Sequence, residues 1–570
     1  DLDVHIDTAA QQFAVHALVT VRNTGKAPVE RIPLQISSAL KWEQMRVAGK
    51  NASFSVATLN SDSDHTGQLH EAVVPLATPL APGSSLTLST FYSGAIEPTA
   101  QRLVSLGTPQ SVALHNDWDR ISADFTGLRG FGNVVWYPVS SIPVILGDGA
   151  RVFNEIGRQK LTLSRAHVHI RLTAEFPHDL PPNAALLCGH AVTLHTQDAQ
   201  GANPGYPGVA TAEIDLPGLG FETPSLFLAR RKAHTTANVT AWATTDNDVN
   251  AEKWLDAAST VKPFIEYWLG AHPRNQLTLL DLPDPGDAPF ETGTLLAAPL
   301  GDFPSDKLER VLVHALTHAY TQVLNDPAPA WLNEGLATFM ETLWVEHRSG
   351  RDQALGILEA DRSALALVEP ASPGAAAGQP LSDAIAPIYY RTKAAYVLWM
   401  LRDMVGDDAL STALRAYQPQ PGESDSATLL KLIRGAGITR DLSWFFEDWV
   451  DADKGLPDLS IADVFPHPAQ HGSVLVTVNI ANAGYAACEV PVTVHTAKGS
   501  QTDRVFVPAR SRAVQRILVL GQPTEVQVND GTVPEVEASV HQTTLTDAGT
   551  APPVPAGSSP SAPPQPDVPQ

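Results

Sequence analysis

The chain has 570 residues, too many for a single hydrophobic core, so roughly two to four domains are expected. Hydrophobic residues make up 43% and charged residues 17%, an ordinary globular balance, while 38 Lys+Arg against 61 Asp+Glu give a net charge of −23. That sign argues against nucleic acid or an anionic membrane as partner, and no apolar run approaches a membrane span.

From its first residue to about 232 the chain reads as β. Short alternating runs such as QFAVHALVTVRN, SSLTLSTFYSG and AHVHIRLTAEF are divided by Gly, Pro, Asn and Asp. From 233 to 456 the texture is mainly helical. A helix is expected at 251–270, stopping at Gly270, then a strand at 276–282 and a helix from the N-cap candidate Ser305. Further helices are expected at 331–348, 390–404, 408–417, 426–434 and 441–450. Residues 457–548 return to β and read as a small sandwich, and 549–570 form a Pro/Ser/Ala-rich tail that cannot bury a core. No internal repeat is evident. The chain opens on Asp1 with no targeting segment, as expected of an exported protein trimmed of its signal peptide, hence an extracytoplasmic (periplasmic or secreted) location. Cys188 and Cys488 lie far apart in sequence and are expected as buried free thiols.

The densest chemistry lies in VLVHALTHAYTQVLNDPAPAWLNEGLATFMETL, residues 311–343. His314 and His318 are four apart, the spacing at which two imidazoles on one helix reach one cation. Leu312, Leu316, Ala319 and Val323 form an apolar stripe, leaving the histidines with Thr317, Thr321 and Gln322 to face a cleft or solvent. A pair of histidines alone is better explained by a solvated helix face. Glu334, fifteen intervening residues on, opens a second helix after a loop marked by Pro327, Pro329 and Trp331. It offers the third ligand of a His₂Glu zinc site with an open fourth position. Glu341, two turns on, is either a surface carboxylate or a group that orients a ligand histidine.

These motifs resemble the gluzincin metallopeptidases, whose signature is HExxH with a downstream Glu ligand, and among them the aminopeptidase N family. WLNEGLATFME is similar to that family's WLNEGFAxxxE helix. YYRTKAAYVLWMLRDMVG (389–406) is similar to its YxKGAxVLxMLRxxxG segment, and DLSWFFEDWVDADKGLPDLSI (441–461) to the stretch closing its helical region. The resemblance covers about 1–460 and implies a multidomain α+β fold. Its parts would be a saddle-like N-terminal β-domain, a thermolysin-like α/β catalytic domain with a helical extension, and a C-terminal β-sandwich. It implies zinc held by His314, His318 and Glu334, and a peptide or protein substrate.

Three departures bear on function. Ala315 stands where the family's general base would be, so peptide hydrolysis is expected to be very slow whether the alanine is natural or engineered. In APFETGTLLAAPL, Glu291 with Gly293 two residues on is the counterpart of the family's amine-anchoring GxMEN, in a different register. The family's oxyanion-stabilising tyrosine position is held by Arg391, leaving Tyr390 or Tyr389 as candidates for that role. Two readings follow: a zinc peptidase of aminopeptidase type lacking its base, or a non-catalytic pseudopeptidase that binds peptides or proteins through the cleft and β-domains. No GxSxG, suitably placed cysteine or phosphate-cradling Gly loop supports a different hydrolase class.

Overall fold

The structure is a computed structural model describing residues 1–197, 206–321, 329–370, 378–420 and 422–545. Among these the fold is mixed α+β, with strands before and after a largely helical middle. The expected tail lies outside the described residues.

Alternation builds the first part. In Gln12–Arg22 the odd positions Phe13, Val15 and Ala17 are buried, and the strand pairs antiparallel with Leu2–Asp7 so that Val4 faces Val15 and Ile6 faces Phe13. Leu2–Asp7 also pairs parallel with Val168–Phe176, near the centre of an eight-stranded sheet. A three-stranded sheet of Val29–Ser37, Ser55–Asn60 and Gln68–Leu80 contributes Ile32, Leu34 and Ile36 to the same apolar core.

The expectation of β structure throughout this region is corrected by helices at Gln101–Ser105, Gln110–Asn116 and Gly149–Leu163 (α1). Asp148 caps α1 by accepting from the Arg151 amide, and Val152, Glu155, Gly157 and Gln159 are buried along it. A Cβ on Gly157 would fall 1.8 Å from the Ile385 carbonyl oxygen, so α1 is pressed directly against the backbone of the helical part.

The middle begins with a five-stranded sheet in which Val239–Ala243, Leu277–Asp281 and Leu295–Ala298 run parallel. The helix Asp248–Leu269 (α2) makes the crossover between the first two, and Phe290–Thr292 pairs antiparallel at the edge. Helix Ser305–Thr321 (α3) packs against this sheet, Ala330–Ser349 (α4) packs on α3, and Arg351–Val368 (α5) and Ala394–Val405 (α6) pack on α4, followed by Asp407–Ala416 and Asp425–Gly435.

Three details differ from expectation. Helix α5 was not anticipated, although Ala354, Leu355, Leu358 and Leu365 keep the three-to-four spacing of a buried face. The expected helix at 390–404 starts as a wide π-turn over Ile388–Lys393, and that at 441–450 divides into Ser443–Phe446 and a π-turn at Glu447–Asp451. On α3, Leu312, Leu316 and Ala319 are buried as the stripe requires, but so are Thr317 and His318, because α4 packs on the other face. Gln322, Val323 and Pro327 lie outside the described residues.

Two sheets close the described chain: Leu459–Pro468, Ser473–Asn482 and Ser511–Leu520 in one, and Cys488–Thr496, Gly499–Val507, Pro523–Val528 and His541–Thr544 in the other. Their inner valines share one apolar core with the helices. The junction is pinned by the Trp449 indole N–H, which donates to the Ala487 carbonyl at 2.9 Å, and by Arg351, which reaches Asp403 at 2.7 Å and Asp530 at 3.0 Å. Cys188 and Cys488 are free and buried.

Candidate metal centre and cleft

Helix α3 stacks His314 and His318 one turn apart, with ring centres 5.3 Å from each other. His318 is buried, at 2% exposure, and its Nδ1 lies 2.8 Å from Oδ1 of Asn333 on α4. An amide oxygen only accepts, so Nδ1 is the donor in this contact, which leaves Nε2 as the nitrogen available to a ligand. That Nε2 makes no hydrogen bond and sits 3.8 Å from Glu291. His314 lies between two carboxylates, with Nε2 3.3 Å from Glu291 and Nδ1 3.4 Å from Glu341. Glu341 is in turn ion-paired with Arg310.

Burial alone would disfavour both charges of the His314–Glu291 pair, yet their mutual attraction wins. His314 is raised to about 10 and Glu291 is lowered to about 2. Burial likewise opposes ionisation of Glu341, but its hydrogen bond to His314 holds the carboxyl below its ordinary range.

The edge strand Phe290–Thr292 is what delivers Glu291. A ligand atom from each of Glu291, His314 and His318 lies within 4.8 Å of the others, a group able to hold a metal ion. Glu334, the carboxylate expected to complete the histidine pair, is otherwise engaged. Its Oε2 accepts from Arg391 Nη2 at 2.7 Å and Nε at 2.9 Å. Burial works against the Glu334 charge, but Arg391 keeps it ionised far below its ordinary range. Gly335 makes this pairing possible: a Cβ there would fall 2.3 Å from Ala394 Cβ and 3.0 Å from the Tyr390 carbonyl oxygen. Only glycine lets α4 approach the π-turn that carries Arg391, in keeping with such turns at functional positions.

The two candidate tyrosines diverge. The Tyr389 hydroxyl donates to the Val368 carbonyl at 2.8 Å. Tyr390 packs edge-on against Phe221 at 5.1 Å, and its hydroxyl makes no hydrogen bond to the described residues. Burial and then the Glu334 charge push the Tyr390 phenol upward, so it stays a neutral donor. Ala315 is 1% exposed and belongs to the apolar core. Gly293 adopts φ +57, and a Cβ on it would lie 2.9 Å from the Glu222 carboxylate oxygens. Glu222 meets His190 at 3.4 Å.

Above this centre opens a cleft of about 1210 Å³. His314, Glu291, Glu341, Tyr390 and Arg391 line it on one side, and Phe153 and Lys160 of α1 on the other. Lys160 and Glu222 were not anticipated as site residues. The signal for Lys160 was the Asp148 cap followed by Val152, Ile156 and Leu163, a helical spacing inside a strand-rich stretch. Nothing in the sequence marks Glu222.

No protein-family model matches the chain, and no curated protein does. Among solved structures it is similar to an M1 zinc metallopeptidase from Deinococcus radiodurans, with 18% identity, a TM-score of 0.43, and coverage of 79% of this chain and 92% of that one. A glutamate-to-alanine mutant bound to a Tyr-Ser-Ala substrate, from the same organism, matches with 18% identity, a TM-score of 0.42 and the same coverages of 79% and 92%. A two-domain M1 zinc metallopeptidase mutant bound to L-tryptophan matches with 18% identity, a TM-score of 0.42, and coverage of 80% and 93%.

Proposed function

We propose that the cleft is a zinc-dependent peptide site of the aminopeptidase N kind, in which binding is kept and hydrolysis is crippled by Ala315. The observation that carries this is the buried His318 Nε2, which is oriented by the Nδ1 contact to Asn333, makes no hydrogen bond with the described residues, and lies beside Glu291 and His314. An imidazole so held presents Nε2 to a cation. His314 and His318 would hold zinc, with Glu291 as the carboxylate already beside them and Glu334 available only when Arg391 releases it. Bound zinc supplies Lewis-acid polarisation of a carbonyl and activation of water.

The chain's own groups then divide the remaining work. Tyr390 offers a neutral hydroxyl to a substrate oxygen at the cleft wall. Glu341 orients His314. Ala315 carries no group able to accept a proton, so turnover falls by about 10² to 10⁴-fold relative to a working base. In this reading the N-terminal sheets form the saddle-like part, the five-stranded sheet and its helices the thermolysin-like part, and the last two sheets the sandwich. The pairing of Arg391 with Glu334 at 2.7 Å favours a second reading, a pseudopeptidase that binds peptide without metal.

Elemental analysis of purified protein tests the first reading. About one zinc per chain is expected, and a metal-free chain that still binds peptide leaves only the second. No described helix is long and apolar enough to cross a membrane.

A further inference from the structure

We propose that Lys160 makes the cleft selective for peptides carrying a carboxylate, which its ammonium group ion-pairs; this rests on the peptide-binding reading above. Lys160 lines the cleft from the last turn of α1. It makes no hydrogen bond or ion pair with the described residues, and its Nζ stands 5.3 Å from the centre of the Phe221 ring. The carboxylates whose charge it feels are Glu334, Glu222 and Glu291. Each has a closer partner: Arg391 at 2.7 Å, His190 at 3.4 Å and His314 at 3.3 Å. Lys160 is therefore a cation left over after the local charges have paired. Lys160 is half-buried, the partial loss of water disfavours its charge, and a ligand carboxylate would offset that cost.

The lysine is also firmly mounted. Gly157, one turn earlier on α1, abuts the Ile385 carbonyl so closely that the helix cannot shift toward or along it without a clash. Arg391, which also lines the cleft, uses Nε and Nη2 on Glu334, and its Nη1 makes no hydrogen bond or ion pair with the described residues. The walls are otherwise greasy, with Phe153 58% exposed and Leu367 86% exposed at the opening. The ligand is thus a peptide with apolar side chains and one carboxylate, supplied by its C-terminus or by an Asp or Glu side chain.

Calorimetric titration with three peptides distinguishes these sources: Leu-Leu-Phe as free acid, Leu-Leu-Phe amide, and Leu-Asp-Phe amide. At least one of the two carboxylate-bearing peptides should bind about 10- to 100-fold tighter than the amide that lacks a carboxylate, and which one does identifies the carboxylate. Lys160→Met should erase that preference, with a thermal melt like that of the wild type showing that the variant is folded; Lys160→Arg should restore most of it. Equal binding of all three peptides by the wild type, or a preference that survives in Lys160→Met, overturns the role of Lys160 and leaves the peptide site standing. Failure of every peptide to bind the wild type overturns the peptide site itself, and this inference with it.

Discussion

Among the described residues, two groups bring a histidine together with two further metal-ligating side chains, and they are not equivalent. One is Glu291, His314 and His318; the other is His115, Asp284 and Asp287. In the second, His115 Nδ1 approaches Asp287 at 3.3 Å and Asp284 at 3.6 Å. Those carboxylates already serve their own turn: Asp284 accepts from the Gly286 amide at 2.9 Å, and Asp287 from the Asp284 amide at 3.3 Å. The Ala288 amide donates to the His115 carbonyl at 2.8 Å, so this group acts as a clip between a helix end and a loop. In the first, a buried imidazole has one nitrogen locked and the other without a hydrogen bond. Proximity of ligand atoms is common to both; a pre-oriented ring nitrogen without a hydrogen bond distinguishes them.

The strongest way to break the comparison is to complete the chemistry at only one of the two places. Ala315→Glu should raise peptide hydrolysis by about 10² to 10⁴-fold at the first centre. Rates would be measured on apolar dipeptides with zinc present, and thermal melting would verify that a carboxylate at this buried position is tolerated. A folded, zinc-loaded variant with unchanged turnover would show that the cleft is not arranged for hydrolysis.

Next in size is the metal itself. His318→Ala should lower zinc affinity by at least about 100-fold, whereas His115→Ala should leave zinc content and affinity as in the wild type. If His115→Ala also strips the metal, the distinction drawn between the two groups is wrong.

The parts of this contrast that were legible in the sequence are those encoded locally. The His314–His318 spacing follows from helical periodicity, and Asn333-Glu334-Gly335 announces a helix start beside it. The helices from α2 to α6, apart from α5, and the terminal sheets could be read for the same reason. Pairings between distant segments were not legible. That Glu291 rather than Glu334 stands against the histidines depends on the edge register of Phe290–Thr292 and on Arg391 arriving from 57 residues downstream. The buried face of Thr317 depends on α4, and the position of Lys160 on how closely α1 approaches Ile385. Periodicity reports which face of an element is apolar, not which neighbour covers it.

Proton competition gives a third test. Because the Glu291 charge raises His314 to about 10, that imidazole holds a proton through the neutral range and must release it to bind zinc. Apparent zinc affinity should therefore rise about tenfold per pH unit from roughly pH 6.5 to 9 and level off near the His314 value. Glu291, lowered to about 2, is ionised throughout and adds no slope. The same titration on His115→Ala should be superimposable. A flat profile would mean that zinc does not displace the His314 proton.

The smallest expected effect concerns Arg391. Its guanidinium contributes a positive charge near the metal position and occupies the Glu334 carboxylate at 2.7 Å. Removing it should both relieve repulsion and free a ligand, but the Arg391 side chain is 44% exposed and solvent screens much of its charge. Arg391→Gln should thus tighten zinc only about threefold to tenfold. The informative readout is which carboxylate matters afterwards. In the wild type, Glu291→Gln should weaken zinc more than Glu334→Gln; in the Arg391→Gln background the order should narrow or reverse as Glu334 becomes available. If Glu334→Gln already dominates with Arg391 in place, the ion pair opens readily on metal binding, and Glu291 is left to interact with the substrate instead.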